Sequence, residues 1–309
     1  MTLSTYFLQP AQFLKNPEAL ARPFTPEEGE AYTRWLATHH YENFHVVSLL
    51  LPRRLRQDFY NVYAFCRWAD DLGDEIGNPA ESERLLRWWD SELALLYEGR
   101  ATHPVFAALA RTNQRHGLPI EPFRDLIQAF LQDQKVTRYS TRSELLAYCR
   151  YSANPVGRLV LALCGYRDPE RQRLSDATCT ALQLANFWQD VSVDLEKGRV
   201  YIPLEDLERH GCPLEDVLAR RPTPAFRRTL ASLVAWARGL FLEGLPLARM
   251  VARRLSVDIE LFSRGGLRIL DKIEEANYNV LTRRPVISKT DRVVLLASAI
   301  ARGVFQKAA

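Results

Sequence analysis

The sequence predicts an all-α protein, and three observations carry that prediction. Apolar residues recur at helical spacing through long stretches, helix start signals punctuate them, and no run shows the β-branched alternation of a strand. In chain order, Thr25-Pro26-Glu27-Glu28 combines a cap, a first-turn proline and an acid at the third helical position, and Asn78-Pro79 reads as a second start. The periodicity predicts helices over approximately Pro52 to Glu75, Ala80 to Glu98, Arg142 to Gly165, Pro169 to Glu196, Ala225 to Arg254 and Val257 to Leu281. The stretches near Pro104, Pro119, Pro203, Pro222 and Pro285 read as interhelix loops. Nothing in the 309 residues looks like a linker or a repeat, so the expected organisation is a single domain, 1–309, built as one large helical bundle. Such bundles build sites in their centre from side chains on facing helices.

Composition narrows the function classes. Hydrophobic residues make up 47% and charged residues 25%, a globular balance. The net charge of +4 is small, and its Lys and Arg are spread along the chain, which argues against a nucleic-acid partner. A mild basic excess suits anionic substrates or an anionic membrane surface, and arginines on solvated helix faces explain it equally well. Five cysteines, Cys66, Cys149, Cys164, Cys179 and Cys212, are widely spaced without a CxxC pair and are expected to be reduced core thiols. The N-terminus lacks a basic segment followed by an apolar one, and no run reaches the roughly 20 apolar residues of a membrane span. The expected location is cytoplasmic.

Two stripes of acids stand out. At helical spacing Tyr63, Arg67, Asp70 and Asp74 share one face, with Asp71 beside it, among apolar Val62, Ala64, Phe65 and Leu72. Gln183, Asn186, Asp190 and Asp194 repeat the pattern among Leu184, Ala185, Phe187 and Trp188. Like charges four residues apart destabilise a helix by a few tenths of a kcal/mol, so each stripe calls for a cation. Magnesium takes oxygen ligands and is typically held by one or two carboxylates together with substrate phosphates, which points to a diphosphate substrate. A lone DxxxD is more often a solvated helix face; two copies in apolar helices favour a metal site. Asp71 and Glu75 are left open.

The stretch YAFCRWADDLGDE (Tyr63 to Glu75) resembles the first signature of the squalene/phytoene synthase family. The run QLANFWQDVSVDLEKGRVYIP (Gln183 to Pro203) resembles its second aspartate-rich motif, with the trailing Gly198, Arg199, Tyr201 and Pro203. The likeness covers about Phe44 to Arg284, with the motif-bearing core at about 42–284. It implies an isoprenoid synthase bundle with a central cavity, in which Asp70, Asp74, Asp190 and Asp194 bind Mg2+, and Phe44, Tyr63, Gln183 and Asn186 line the substrate. It also implies diphosphate contacts from Arg67 and Arg283, and a cavity place near the leaving group for Tyr148. Two of these residues have plainer readings: Arg67 as an ion-pair partner of Asp70 or Asp71, and Tyr148 as a core tyrosine.

Within the family, Glu42 to Arg56 and Tyr148 to Leu161 are similar to the branch that makes hydroxysqualene in bacterial hopanoid pathways. Typical members carry Ser-Phe at Asn43-Phe44 and Ala-Gly at Ala153-Asn154. The resemblance implies ionisation of presqualene diphosphate, ring opening of a cyclopropylcarbinyl cation and capture of water, with Asn154 or Tyr148 positioning that water. NADPH is not expected. The implied partners are presqualene diphosphate or another prenyl diphosphate and pathway enzymes of squalene formation; the apolar substrate suggests peripheral contact at the inner membrane face, to which Arg292 to Phe305 could lend an apolar face, although a packed terminal helix is the plainer reading of that run. Phe44, Phe65, Phe187 and Trp188 are candidates to face the cation, although aromatics at helical spacing usually serve packing. Two rivals stand: a synthase that condenses two prenyl diphosphates to presqualene diphosphate, squalene or phytoene, and a non-catalytic assembly factor of the same fold.

Overall fold

A computed structural model describes residues 7–16, 22–39 and 53–305, with side chains through 298. The fold is all-α, with no strand among the described residues. The chain divides into two compact units, Met1–Lys135 with Arg158–Arg167, and Val136–Gly157 with Asp168–Ala309. In chain order the helices are α1 (Pro10–Leu14), α2 (Pro26–His39), α3 (Arg56–Asp74), α4 (Pro79–Tyr97), α5 (Pro104–His116), α6 (Glu121–Asp133), α7 (Arg142–Ser152) and α8 (Asn154–Leu163). There follow α9 (Pro169–Gln189), α10 (Val191–Glu196), α11 (Leu204–Arg209), α12 (Leu214–Leu218), α13 (Pro224–Gly244), α14 (Arg253–Glu275) and α15 (Lys289–Phe305).

In the first unit the start signals work as expected. The Thr25 hydroxyl accepts from the Glu28 amide and the Glu28 carboxylate accepts from the Thr25 amide, a reciprocal cap, while Asn78 accepts from the Ala80 and Glu81 amides. The core is aromatic: Trp68 of α3 stacks on Trp89 of α4 at 5.1 Å, and Phe65 meets Phe123 edge to face at 4.8 Å. The Trp68 indole N–H donates to the Tyr32 hydroxyl (2.9 Å), which donates to the Leu8 carbonyl (3.0 Å). Buried Asn61 donates to Thr112 (2.9 Å) and to the Ala108 carbonyl (3.2 Å) of α5. These contacts fix the rotation of α3, so that Phe65, Trp68, Ala69 and Leu72 face inward and the stripe of Arg67 and Asp70 faces out.

In the second unit α9 packs on α13, which buries Phe226, Leu230, Leu233, Val234, Ala237 and Phe241. The first turn of α8 lies so close to α9 that a β-carbon on Gly157 would sit 2.3 Å from the Ser175 hydroxyl and 2.6 Å from the Cys179 sulfur. Only glycine fits this approach.

The helix boundaries depart from the sequence reading in several places, among them the helix expected over Val257 to Leu281, which runs Arg253–Glu275. The helix expected over Arg142 to Gly165 is interrupted at Ala153, because the following Asn154-Pro155 disfavours continuous α conformation. The one expected through Glu196 kinks at Asp190 (φ −102°, ψ 13°). The one expected through Arg254 ends at Gly244 and passes into a 3-10 turn, Leu245–Arg249, around Pro246. Pro104, expected in a loop, is the first residue of α5, where a missing N–H costs nothing. Separately, Pro224–Arg249 is long and apolar enough to cross a membrane by length and composition alone, with a mean hydropathy of 1.3 in its richest window. The sequence reading found no such run; the apolar face of this helix is the one packed on α9.

One buried acid has a measurable consequence. Asp258 of α14 is 2% exposed, and neither of its oxygens has a hydrogen-bond partner among the described residues. Burial pushes its carboxyl up to about 7 from 3.8. The raised value means the native state holds this proton more tightly than the unfolded chain, so its contribution is full below the unfolded value and lost as pH rises through about 7. Stability is expected to fall by roughly 2–3 kcal/mol between about pH 5 and about pH 8 from this group. Urea unfolding at both pH values checks it: Asp258→Asn should remove most of that slope.

Candidate functional site

In the first unit, the stripe on α3 is organised around Arg67. Its Nη1 lies 3.1 Å from Asp70 Oδ2, and its Nη2 donates to Asp71 Oδ1. The ion-pair reading of Arg67 is therefore realised, and it resolves Asp71: this buried acid holds the guanidinium, leaving Asp70, whose side chain is 45% exposed, as the outward carboxylate. Burial raises the Asp71 carboxyl and Arg67 opposes the shift. Tyr63, one turn earlier, is half-buried, and burial pushes its hydroxyl up as well. Burial likewise pushes the neighbouring Cys66 thiol up to about 12, in keeping with an inert reduced cysteine. Asp74 ends the helix, and a bond from the Glu75 amide to the Asp71 carbonyl (3.0 Å) closes it.

In the second unit, Gln183 and Asn186 lie on α9, Gln183 half-buried and Asn186 exposed. The kink comes at Asp190, so the second stripe is not one continuous helix. Hydrogen bonds nevertheless bridge it: the Asp190 amide donates to the Asn186 carbonyl (2.9 Å), and the Asp190 carbonyl accepts from the Val193 and Asp194 amides (2.8 Å each). Asp194 sits on α10, a helix of six residues that needs a firm end. Gly198 supplies it at φ 70°: its amide donates to the Leu195 carbonyl (3.1 Å) and the Arg199 amide to the Asp194 carbonyl (2.9 Å), the Schellman pattern.

That turn explains the residues trailing the second motif. Past Gly198 the chain runs alongside 137–140, where the Val200 amide donates to the Thr137 carbonyl (2.8 Å) and the Leu204 amide to the Tyr139 carbonyl (3.0 Å). Tyr201 stacks on Phe187 at 3.8 Å, and Pro203 caps α11. Tyr148 joins this group, 6.0 Å from Tyr201, 6.2 Å from Phe187 and 5.5 Å from Tyr139. It is buried, as its core reading expects, among aromatic faces that suit positive charge. Asn154 is buried at the start of α8 and accepts from the Thr180 hydroxyl at 2.9 Å.

The remaining expected residues divide. Phe65 and Trp188 are fully buried core. Asn43 and Phe44 lie outside the described residues. Arg283 is exposed, and its neighbour Arg284, which sequence reasoning passed over, is the one that reaches Asp190: Nε donates to Oδ1 and Nη2 to Oδ2 (3.1 Å). The signal in the sequence was the Arg283-Arg284-Pro285 run itself, which does not say which arginine reaches Asp190.

Among the described residues, no group of three or more His, Cys, Asp or Glu could hold a metal ion. The donor set still fits magnesium, which keeps several waters and takes one or two carboxylates beside phosphate oxygens. Each stripe offers two such hard carboxylates in its own unit, Asp70 with Asp74 in the first and Asp190 with Asp194 in the second, and Asp70 and Asp190 already attract guanidinium cations.

Helices carrying two aspartate stripes, the second closed by the Gly198 turn, define the class of an all-helical prenyl diphosphate enzyme. The squalene/phytoene synthase family model matches residues 37–291, and the chain belongs to that family. The phytoene synthase of Thermus thermophilus is 36% identical over 262 residues, 84% of this chain and 88% of that protein. Chloroplastic phytoene synthase 1 of Arabidopsis thaliana is 30% identical over 295 residues, 90% of this chain and 68% of that one. Among solved structures, squalene synthase HpnC from Alicyclobacillus acidocaldarius superposes with a TM-score of 0.80 at 48% identity, covering 82% of this chain and 96% of its own. A dehydrosqualene synthase in complex with ligand gives 0.81 at 25% identity, covering 90% and 97%.

Proposed function

We propose that this protein converts presqualene diphosphate and water to hydroxysqualene and pyrophosphate, with magnesium bound by Asp70, Asp74, Asp190 and Asp194. The observation that carries the choice of reaction is Asn154: a buried amide at the start of α8, where typical members have glycine, adds hydrogen-bonding capacity away from bulk solvent. The 48% identity to a protein named squalene synthase, against 36% to a phytoene synthase, favours the squalene side of the family over the phytoene side. When bound, the metal would supply charge neutralisation for the departing diphosphate.

The chain's own residues do the rest. Asp71 holds the Arg67 guanidinium at the outward face of α3, where it is ready for an anionic oxygen. Tyr148, Phe187 and Tyr201 offer ring faces to a passing carbocation and exclude bulk water. Asn154, its oxygen engaged by Thr180, keeps its amide N–H groups for a water oxygen and so sets where water adds. Gln183 and Asn186 lie on α9 in the two turns ahead of Asp190 as substrate contacts. The apolar substrate calls for contact with a membrane surface, and exposed Val286, Val293 and Val294 offer apolar side chains for it.

Mass spectrometry of products from presqualene diphosphate with magnesium tests the reading. Hydroxysqualene is expected with or without NADPH, and squalene appearing only with NADPH would sink it. The phytoene synthase relatives favour a second reading, condensation of two prenyl diphosphates. Farnesyl diphosphate alone should give no product; conversion to presqualene diphosphate or squalene would establish the condensing activity instead. Failure to release pyrophosphate from presqualene diphosphate would revive the non-catalytic rival.

A further inference from the structure

Three short helices, α10, α11 and α12, follow one another from the second stripe onward, and each closes on the same turn. The residue after the helix cap donates its amide to the carbonyl three back, and the next residue donates to the carbonyl five back. The turn calls for a left-handed residue, and the first two helices supply glycine, Gly198 at φ 70° and Gly211 at φ 64°. Helices α4 and α8 close in the same way on Gly99 and Gly165, and α14 on Asn277. The end of α12 has Arg220 at φ 54° instead. A left-handed arginine carries a backbone cost that glycine escapes, so the gain at this position lies in the side chain.

That side chain leaves its own helix. Arg220 Nη2 donates to the Ser192 carbonyl and to Glu196 Oε1, each at 3.1 Å, and both acceptors belong to α10. They stand two residues either side of Asp194, about 160° round the helix from it, so the guanidinium grips α10 on the face opposite the acid. The grip matters because six residues do not sustain a helix alone, and Val191 is the one side chain of α10 that is buried. An exposed Arg–Glu pair is worth little by itself. The carbonyl bond adds a charged donor on the main chain of α10, which cannot swing away as a side chain can. Building on the magnesium reading above, we propose that Arg220 is a positioning residue: it clamps the back of α10, sets the rotation of that helix and so aims the Asp194 carboxylate, without touching metal or substrate.

Hydrogen–deuterium exchange at the α10 amides of the full-length, metal-free protein tests the clamp. Equilibrium dialysis of Mn2+, with inorganic pyrophosphate on both sides of the membrane, tests the aim of Asp194. Arg220→Gly removes the side chain and relieves the left-handed strain, so its urea midpoint should stay near that of wild type. Arg220→Ala removes the side chain and keeps the strain. Both variants should exchange the α10 amides about fivefold faster than wild type and hold Mn2+ about fivefold more weakly. Unchanged exchange at α10 overturns the clamp, and so does acceleration confined to Arg220→Gly, which marks a loosened turn instead of a lost side chain. Acceleration throughout the second unit with a lowered urea midpoint in both variants marks general destabilisation and overturns it as well. Faster α10 exchange with unchanged Mn2+ affinity overturns the positioning role and leaves the magnesium reading intact. Absence of retained Mn2+ in wild type, pyrophosphate included, overturns the magnesium reading itself and the positioning role with it.

Discussion

Asp70→Asn and Asp190→Asn should each lower pyrophosphate release from presqualene diphosphate by roughly a thousandfold or more. The substitution keeps side-chain volume and changes only charge, so the loss reports on the cation the carboxylate attracts. The two variants differ in what they leave behind. At position 70, Arg67 keeps its bond to buried Asp71, so α3 loses one outward charge and little else. At position 190, the bidentate bond from Arg284 to the carboxylate is weakened as well. Both should retain the wild-type helical circular dichroism, because neither side chain belongs to the apolar core. Near-normal turnover in either would remove that residue from the metal assignment.

The second large effect is on stability. Asp206 is fully buried and accepts from Arg142 Nε (2.8 Å) and Nη2 (2.6 Å) in the forked geometry that suits a guanidinium. The same Arg142 donates to Ser232 (3.1 Å) and lies 4.7 Å over the ring of Trp236, so its position is set from three sides. Asp206→Ala leaves this guanidinium without its counter-charge and should cost about 3 kcal/mol, the low end for a broken buried pair because Arg142 keeps some exposure. Urea unfolding measures it. The double variant Arg142→Met with Asp206→Leu should recover much of the loss, since an apolar pair of similar volume carries no stranded charge. A double variant as unstable as Asp206→Ala would refute the electrostatic origin.

Much of the fold was legible because its causes are local. Thr25 and Asn78 cap helices through bonds to residues two or three positions away, and apolar spacing marks a helix wherever it buries one face. The interruption at Ala153 had a visible cause in Asn154-Pro155, whereas the kink at Asp190 has neither proline nor glycine to announce it. Pro104 misled because the same ring that ends a helix interior is welcome at a helix start. At the site, the α3 stripe was readable, including the pairing of Arg67 with acids three and four residues on. The Asp190–Arg284 pair joins residues 94 apart, and the aromatic group around Tyr148 draws Tyr139, Phe187 and Tyr201 from separate segments. Such meetings are decided by packing, and no spacing in the chain records them.

The kink also gives Asp190 an electrical setting of its own. There α9, a helix of 21 residues, stops, and the aligned peptide dipoles of a long helix leave about half a negative elementary charge at that end. The opposing dipole of α10 starts at the same residue but is built from only six peptides and is correspondingly weaker. Asp190 therefore adds a full charge where the backbone already favours a cation. The main chain recruits positive charge to this point before any ligand arrives, and the arginine found there is its first recruit.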